Sequence, residues 1–106
     1  MSRALRPRSG VRRRRPPATR NALPREVVAE LRRVARPARA QTGIAHLERA
    51  VELLERGDAR AGAREAQRAK ELVPRSPAVR EVLGLALYQR GRWAEALSEM
   101  QAYRRM

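Results

Sequence analysis

The chain has 106 residues, a formal net charge of +14 and no cysteine. That bounds it to one small domain and excludes disulfides, thiolate catalysis and cysteine-ligated metals. No apolar run approaches the length of a membrane span, so membrane insertion is not expected.

Residues 1–41 hold thirteen arginines against two glutamates, whereas residues 42–106 hold twelve basic against nine acidic groups. Basicity is therefore mostly a property of the first third. Residues 1–20, MSRALRPRSGVRRRRPPATR, contain eight arginines, three prolines and no acid. Burying them would leave like charges unpaired, so a disordered basic tail is expected. The charges are followed by no apolar segment of the kind a secretory signal needs. The early prolines argue against the amphipathic helix of a transit peptide. With cysteine absent, the expected location is cytoplasmic.

An amphipathic helix is expected within residues 21–37, NALPREVVAELRRVARP. Pro24 suits a first turn, Glu26 favours that end of the helix dipole and Pro37 stops the run. Val27, Val28, Leu31, Val34 and Ala35 follow helical spacing. So short a helix is not stable alone, and it is expected to dock onto the helical residues C-terminal to it.

Residues 38–106 read as helix throughout. Ile44, Leu47, Val51 and Leu54 share one face, and Gly57 is a C-terminal stop. Asp58 is the N-cap of the next helix. Pro74 interrupts; Ser76 then caps a third helix that has Pro77 in its first turn. Gly91 ends that helix, and RWAEALSEMQAYRRM makes the last. Contiguous β-branched residues are nearly absent, while alanine and arginine favour helix. The fold class read from these residues is all-α.

The helices repeat at an offset of 34 residues. Gly57 pairs with Gly91, Ala50 with Gly84, Leu53 with Leu87, Gly62 with Ala96, Ala66 with Met100 and Ala69 with Tyr103. The second copy, with Leu83–Gly84, Leu87–Tyr88, Gly91, Trp93, Ala96 and Met100, resembles a tetratricopeptide repeat. Pro74 falls where that family often closes the preceding repeat. In the first copy Arg49 replaces an aliphatic residue, His46 an aromatic one and Gly62 the usual alanine.

The resemblance implies antiparallel helix-turn-helix repeats, an α-solenoid with pairs at about 43–75 and 77–106. Gly84 and Ala96 are expected at close helix crossings, and Trp93, Leu97 and Met100 in the seam between helices. It also implies a concave groove for a protein or peptide partner. Carried over by position, the groove residues are Ile44, Leu47, Val51 and Leu54, then Ala78, Glu81, Leu85, Tyr88 and Gln89. The alternative for the first four is cover by the helix at 24–36. Leu47 and Val51 do not match the lysine and asparagine clamp that some members use for a C-terminal carboxylate.

Such arrays need about three repeats and a polar closing helix. The sequence reaches Met106 directly after the second pair, so one side of Trp93, Leu97, Met100 and Tyr103 is expected to lack cover. A fragment of a longer array is the favoured explanation, since AYRRM carries no capping signal. If Met106 is the natural end, self-association through the last helix is expected.

No catalytic constellation is present. Phosphate-loop and nucleophile-elbow motifs do not occur, and His46 is the only histidine, so no enzyme activity, metal or cofactor is expected. Glu52, Glu55, Glu95 and Glu99 sit beside arginines at helical spacings and read as pairs on a solvated face. The leading functional reading is a non-enzymatic scaffold that binds a protein partner. The alternative is an RNA- or DNA-associated adaptor using Arg12, Arg13, Arg14 and Arg15 on phosphates. The tail has no aromatic residue to stack on bases.

Overall fold

A computed structural model describes residues 23–106. The described residues form five α-helices: α1 (Arg25–Val34), α2 (Pro37–Glu55), α3 (Ala59–Leu72), α4 (Pro77–Gln89) and α5 (Trp93–Arg104). No strand occurs among them. The tail at 1–20 lies outside the described residues.

Pro37 starts α2 rather than only ending α1. It occupies the first turn, where its missing N–H costs nothing and its fixed φ suits a helix. Ala35 is extended between the two helices. The helix expected at 21–37 is thus shorter, and its successor begins earlier than the repeat at 43.

Both glycine stops are built alike. Gly57 has φ +85° and Gly91 φ +79°, the left-handed region that a side chain disfavours. At the first, the Gly57 N–H donates to the Leu54 carbonyl (3.0 Å) and the Asp58 N–H to Leu53 (2.9 Å). At the second, Gly91 donates to Tyr88 and Arg92 to Leu87, both at 2.9 Å. These are the paired bonds of a Schellman termination, reproduced at the 34-residue offset. The side chain of Asp58 accepts from the Ala61 N–H at 3.1 Å, and that of Ser76 from Val79 at 3.2 Å, as expected of N-caps.

The principal packings are α2 on α3 and α4 on α5, with α4 also against α3 and α2. The core has two clusters. Leu31 of α1 meets Leu47, Ala69, Val73 and Val79, all fully buried. Ala50 and Ala66 meet Leu83, with Val82 and Leu87 over them. Burying one such leucine side chain contributes roughly 1.5–3 kcal/mol. The first cluster secures α1 across the start of the first helix pair.

Small residues lie at close approaches. A Cβ on Gly62 would stand 3.0 Å from the Leu54 side chain and 3.4 Å from the Ala50 carbonyl oxygen. On Gly84 it would meet the Met100 side chain at 3.1 Å. On Gly43 it would fall 2.6 Å from Val73 Cγ2. Ala96 is buried. Trp93 and Leu97, expected in the seam, are instead exposed. The contact with α4 covers Ala96 and Met100, while Leu97 lies about 100° further round the helix than Ala96 and Trp93 stands at the first residue of α5, beside the Gly91 turn.

Candidate partner-binding face

The expected groove divides into two unlike halves. Leu47 is fully buried among Leu31, Ala69, Val73 and Val79, so it is a core residue and not part of a groove. Ile44 packs against the same cluster. The physical reason is α1, whose apolar face takes the place a partner would occupy. Val51 and Leu54 are half-buried, and Leu54 lies over Gly62.

The second half is open. On α4, Glu81, Leu85, Tyr88 and Gln89 are exposed and Ala78 is half-buried. Leu85 is 44% and Tyr88 63% exposed, one turn apart on the same side. On α5, Trp93 is 68%, Leu97 58% and Tyr103 38% exposed. Tyr88 and Trp93 flank the Gly91 turn. Met100 covers Gly84 in the seam between the two helices. Five large apolar side chains thus stand on one helix pair without cover among the described residues. Isolated exposed apolar residues need no explanation, but a group of this size does.

The repeat offset explains the face. In the first pair, Ala66 is fully buried in a cluster with Ala50 of α2 and Leu83 of α4, and Ala69 in one with Leu47 of α2 and Val79 of α4. Ala63 is 5% exposed and borders the cleft shared with Leu83 and Leu87. Thirty-four residues on stand Leu97, Met100 and Tyr103. Val51 and Leu54 of α2 likewise correspond to Leu85 and Tyr88. On α5 the open positions are thus the equivalents of α3 residues that lie beside α4.

Glu99 ties this pair to α3 and its two helices to each other. Glu99 of α5 accepts from Lys70 Nζ of α3 at 2.8 Å and from Arg80 Nη1 of α4 at 3.0 Å. Burial disfavours its charge, but the hydrogen bonds and charges of Lys70 and Arg80 outweigh this and hold the carboxyl below its ordinary value. Glu99 is therefore not on a solvated face: its side chain is only 12% exposed. The Glu52–Arg56 and Arg92–Glu95 pairs, at 2.6 and 2.7 Å, are the local helical pairs that spacing predicts.

Three further contacts had no local sequence signal. Arg39 places its guanidinium on the Leu72 and Glu71 carbonyl oxygens (3.1 and 2.9 Å), closing the C-terminal end of α3. His46 Nδ1 meets Glu65 Oε1 at 2.7 Å. The Ser76 hydroxyl donates to Glu30 Oε1 at 2.6 Å, joining α1 to the start of α4. Each joins residues at least nineteen positions apart.

Among the described residues no group of three metal-ligating side chains converges. No helix among them is long and apolar enough to cross a membrane. Arg12, Arg13, Arg14 and Arg15 lie outside the described residues. No family model matches the chain, nor does any curated protein or solved structure, so the tetratricopeptide resemblance rests on the residues that carry it.

Proposed function

We propose that this chain is a non-enzymatic helical-repeat module of the tetratricopeptide type that binds a protein partner by receiving a helix across α4 and α5. The observation that carries this is the exposure of Leu97 and Tyr103 at the positions that Ala63 and Ala69 hold, buried, in the first pair. Surfaces built like the first are covered by a helix, so the second suits one. The partner helix is amphipathic: its apolar side meets Leu85, Tyr88, Trp93 and Leu97.

Charge selects the chemistry of the rest of that helix. All eleven acidic residues lie within 23–106 together with seventeen of the twenty-five basic ones, and the remaining eight basic residues lie before them. Both parts are positive. Pairing two copies brings like charges together, whereas an acidic helix is attracted. The favoured partner is an acidic amphipathic helix.

Trp93 is the only tryptophan and reports on its own face. A synthetic helix-forming peptide with leucine along one side and glutamate elsewhere is expected to shift Trp93 emission to the blue and to saturate. Leu85→Ala with Tyr88→Ala is expected to weaken this about tenfold or more, the loss of roughly 1.4 kcal/mol or more. Unchanged affinity in that double variant defeats the assignment. So does a concentration-dependent dimer in sedimentation that the same substitutions abolish, since a second copy would then be the occupant.

The arginine-rich sequence of residues 1–20 supports a second reading, phosphate binding to RNA or DNA by counterion release. A salt titration of oligonucleotide binding with and without residues 1–20 decides it. Equal affinity and slope for both chains remove it.

A further inference from the structure

A cavity of about 730 Å³ lies between the C-terminal part of α1, the turn joining α3 to α4, and the end of α5. Four guanidinium groups line it, those of Arg33, Arg75, Arg80 and Arg105, against one acidic side chain, Glu30, with Met106 also at its wall. It shares none of the five apolar residues of the α4–α5 face.

The charges in this cavity are not equivalent. Glu30 is already occupied, accepting from the Ser76 hydroxyl at 2.6 Å and from the Ala78 N–H at 3.3 Å. Arg80 is fixed: Nη1 bonds Glu99 at 3.0 Å and Nη2 the Pro74 carbonyl oxygen at 3.3 Å. Its Nε is buried with no acceptor, an arrangement that costs free energy unless something accepts from it. Among the described residues, no carboxylate lies within ion-pair distance of Arg33, Arg75 or Arg105. Three guanidinium groups without a carboxylate partner therefore border one concavity whose fourth cation is immobile. Val34 and Pro77 supply apolar wall beside them.

We infer that this cavity is a binding site for a small phosphate monoester, with Arg33 and Arg75 taking the phosphate beside the fixed guanidinium of Arg80 and the apolar wall taking the ester group. A guanidinium offers a planar fork that matches phosphate oxygens. A phosphate monoester near neutral pH carries close to two negative charges, which suits an excess of cations better than a single carboxylate does. The volume falls within the range of small-molecule pockets. Arg33 and Arg75 are both exposed, so replacing either leaves the core intact.

The test is calorimetric titration of the full chain with phenyl phosphate, with benzoate and a single-stranded oligonucleotide as separate arms. Phenyl phosphate is expected to bind saturably at one site and more tightly than benzoate. Arg33→Ala and Arg75→Ala are each expected to weaken it about tenfold, with thermal melts unchanged. Replacing Arg12, Arg13, Arg14 and Arg15 together by alanine is expected to leave it intact, and so is Arg68→Ala on α3. The inference is overturned if Arg33→Ala and Arg75→Ala titrate like the native chain. It is also overturned if the tail variant abolishes binding, if benzoate binds as well, or if only the oligonucleotide binds. The Trp93 peptide titration is independent of all these outcomes, so failure here and failure of the partner face are separately visible.

Discussion

The two helix pairs are joined internally by the same turn, yet their surroundings differ. Gly57 and Gly91 adopt the same left-handed conformation with the same two backbone bonds. The pair α2–α3 is covered on one side by α1 and on the other by α4, and its seam is filled by alanine, glycine and leucine. Among the described residues the pair α4–α5 is covered by the first pair and, at the start of α4, by α1, and the positions equivalent to the small residues of α3 carry leucine, methionine and tyrosine left wholly or partly open. What differs is the use of the far face: closed with small residues in one pair, open with large ones in the other. Stability should therefore concentrate in the first pair and recognition in the second.

The largest expected effect tests that division directly. Leu47→Ala removes a fully buried side chain from the cluster that holds α1, and a loss of about 2–5 kcal/mol is expected in urea unfolding. Leu97→Ala, on the open face, is expected to change stability by less than about 0.5 kcal/mol. Comparable losses at both positions would mean that the second pair is also a closed core.

Ser76→Ala comes next, because Ser76 joins the second pair to α1. Its oxygen caps α4 at the Val79 N–H and its proton goes to the Glu30 carboxylate of α1. Losing the cap and a hydrogen bond to a charged group should cost about 2 kcal/mol. Asp58→Ala removes only a cap at an exposed position and should cost about 1 kcal/mol. Chemical denaturation of the two variants measures the difference, and equal losses would show that the Glu30 contact adds nothing.

Opposite signs are expected at two buried glycines. A Cβ on Gly43 would lie 2.6 Å from Val73 Cγ2, on a stiff, fully buried side chain. Gly43→Ala should therefore lower stability by about 1 kcal/mol despite alanine's better helix propensity. A Cβ on Gly84 would meet Met100 Cε at 3.1 Å, the end of a flexible chain that can turn aside. Gly84→Ala should gain about 0.5 kcal/mol. Thermal melts that moved in the same direction would remove the distinction between a tightly closed first pair and a yielding second one.

Much of this architecture was legible because it is local. Helix periodicity, the Asp58 and Ser76 caps, and the glycine stops each depend on residues within a few positions of one another. The 34-residue offset added which helices pair. The fate of Leu47 and Trp93 was less accessible. Both are large apolar residues on amphipathic stripes, and only the arrangement of helices decides that α1 covers Leu47 while nothing among the described residues covers Trp93. Glu99 misled for a related reason. Its spacing from neighbouring charges suggested a surface pair, whereas its partners Lys70 and Arg80 come from two other helices. The arginine-lined cavity needs three separate segments and had no signature in any one of them.

Glu99 also gives the smallest and most specific test, since it ties α5 to both α3 and α4. Its carboxyl is held below the ordinary value of 4.5, burial opposing ionisation but losing to Lys70 and Arg80. A carboxyl with a lowered folded pKa binds fewer protons in the native state than when unfolded. Its contribution is therefore fully present above the unfolded value and is lost as pH falls through the lowered folded one. The second pair should thus loosen from the first in acid. Glu99→Gln should flatten the acid limb of the stability curve while leaving the Leu47 contribution untouched. Lys70→Met should flatten it too, by removing one of the groups that favour the charge. Melting curves recorded at and below pH 4.5 provide the measurement. An acid limb that keeps its slope in both variants would mean that the two pairs are joined by apolar packing alone.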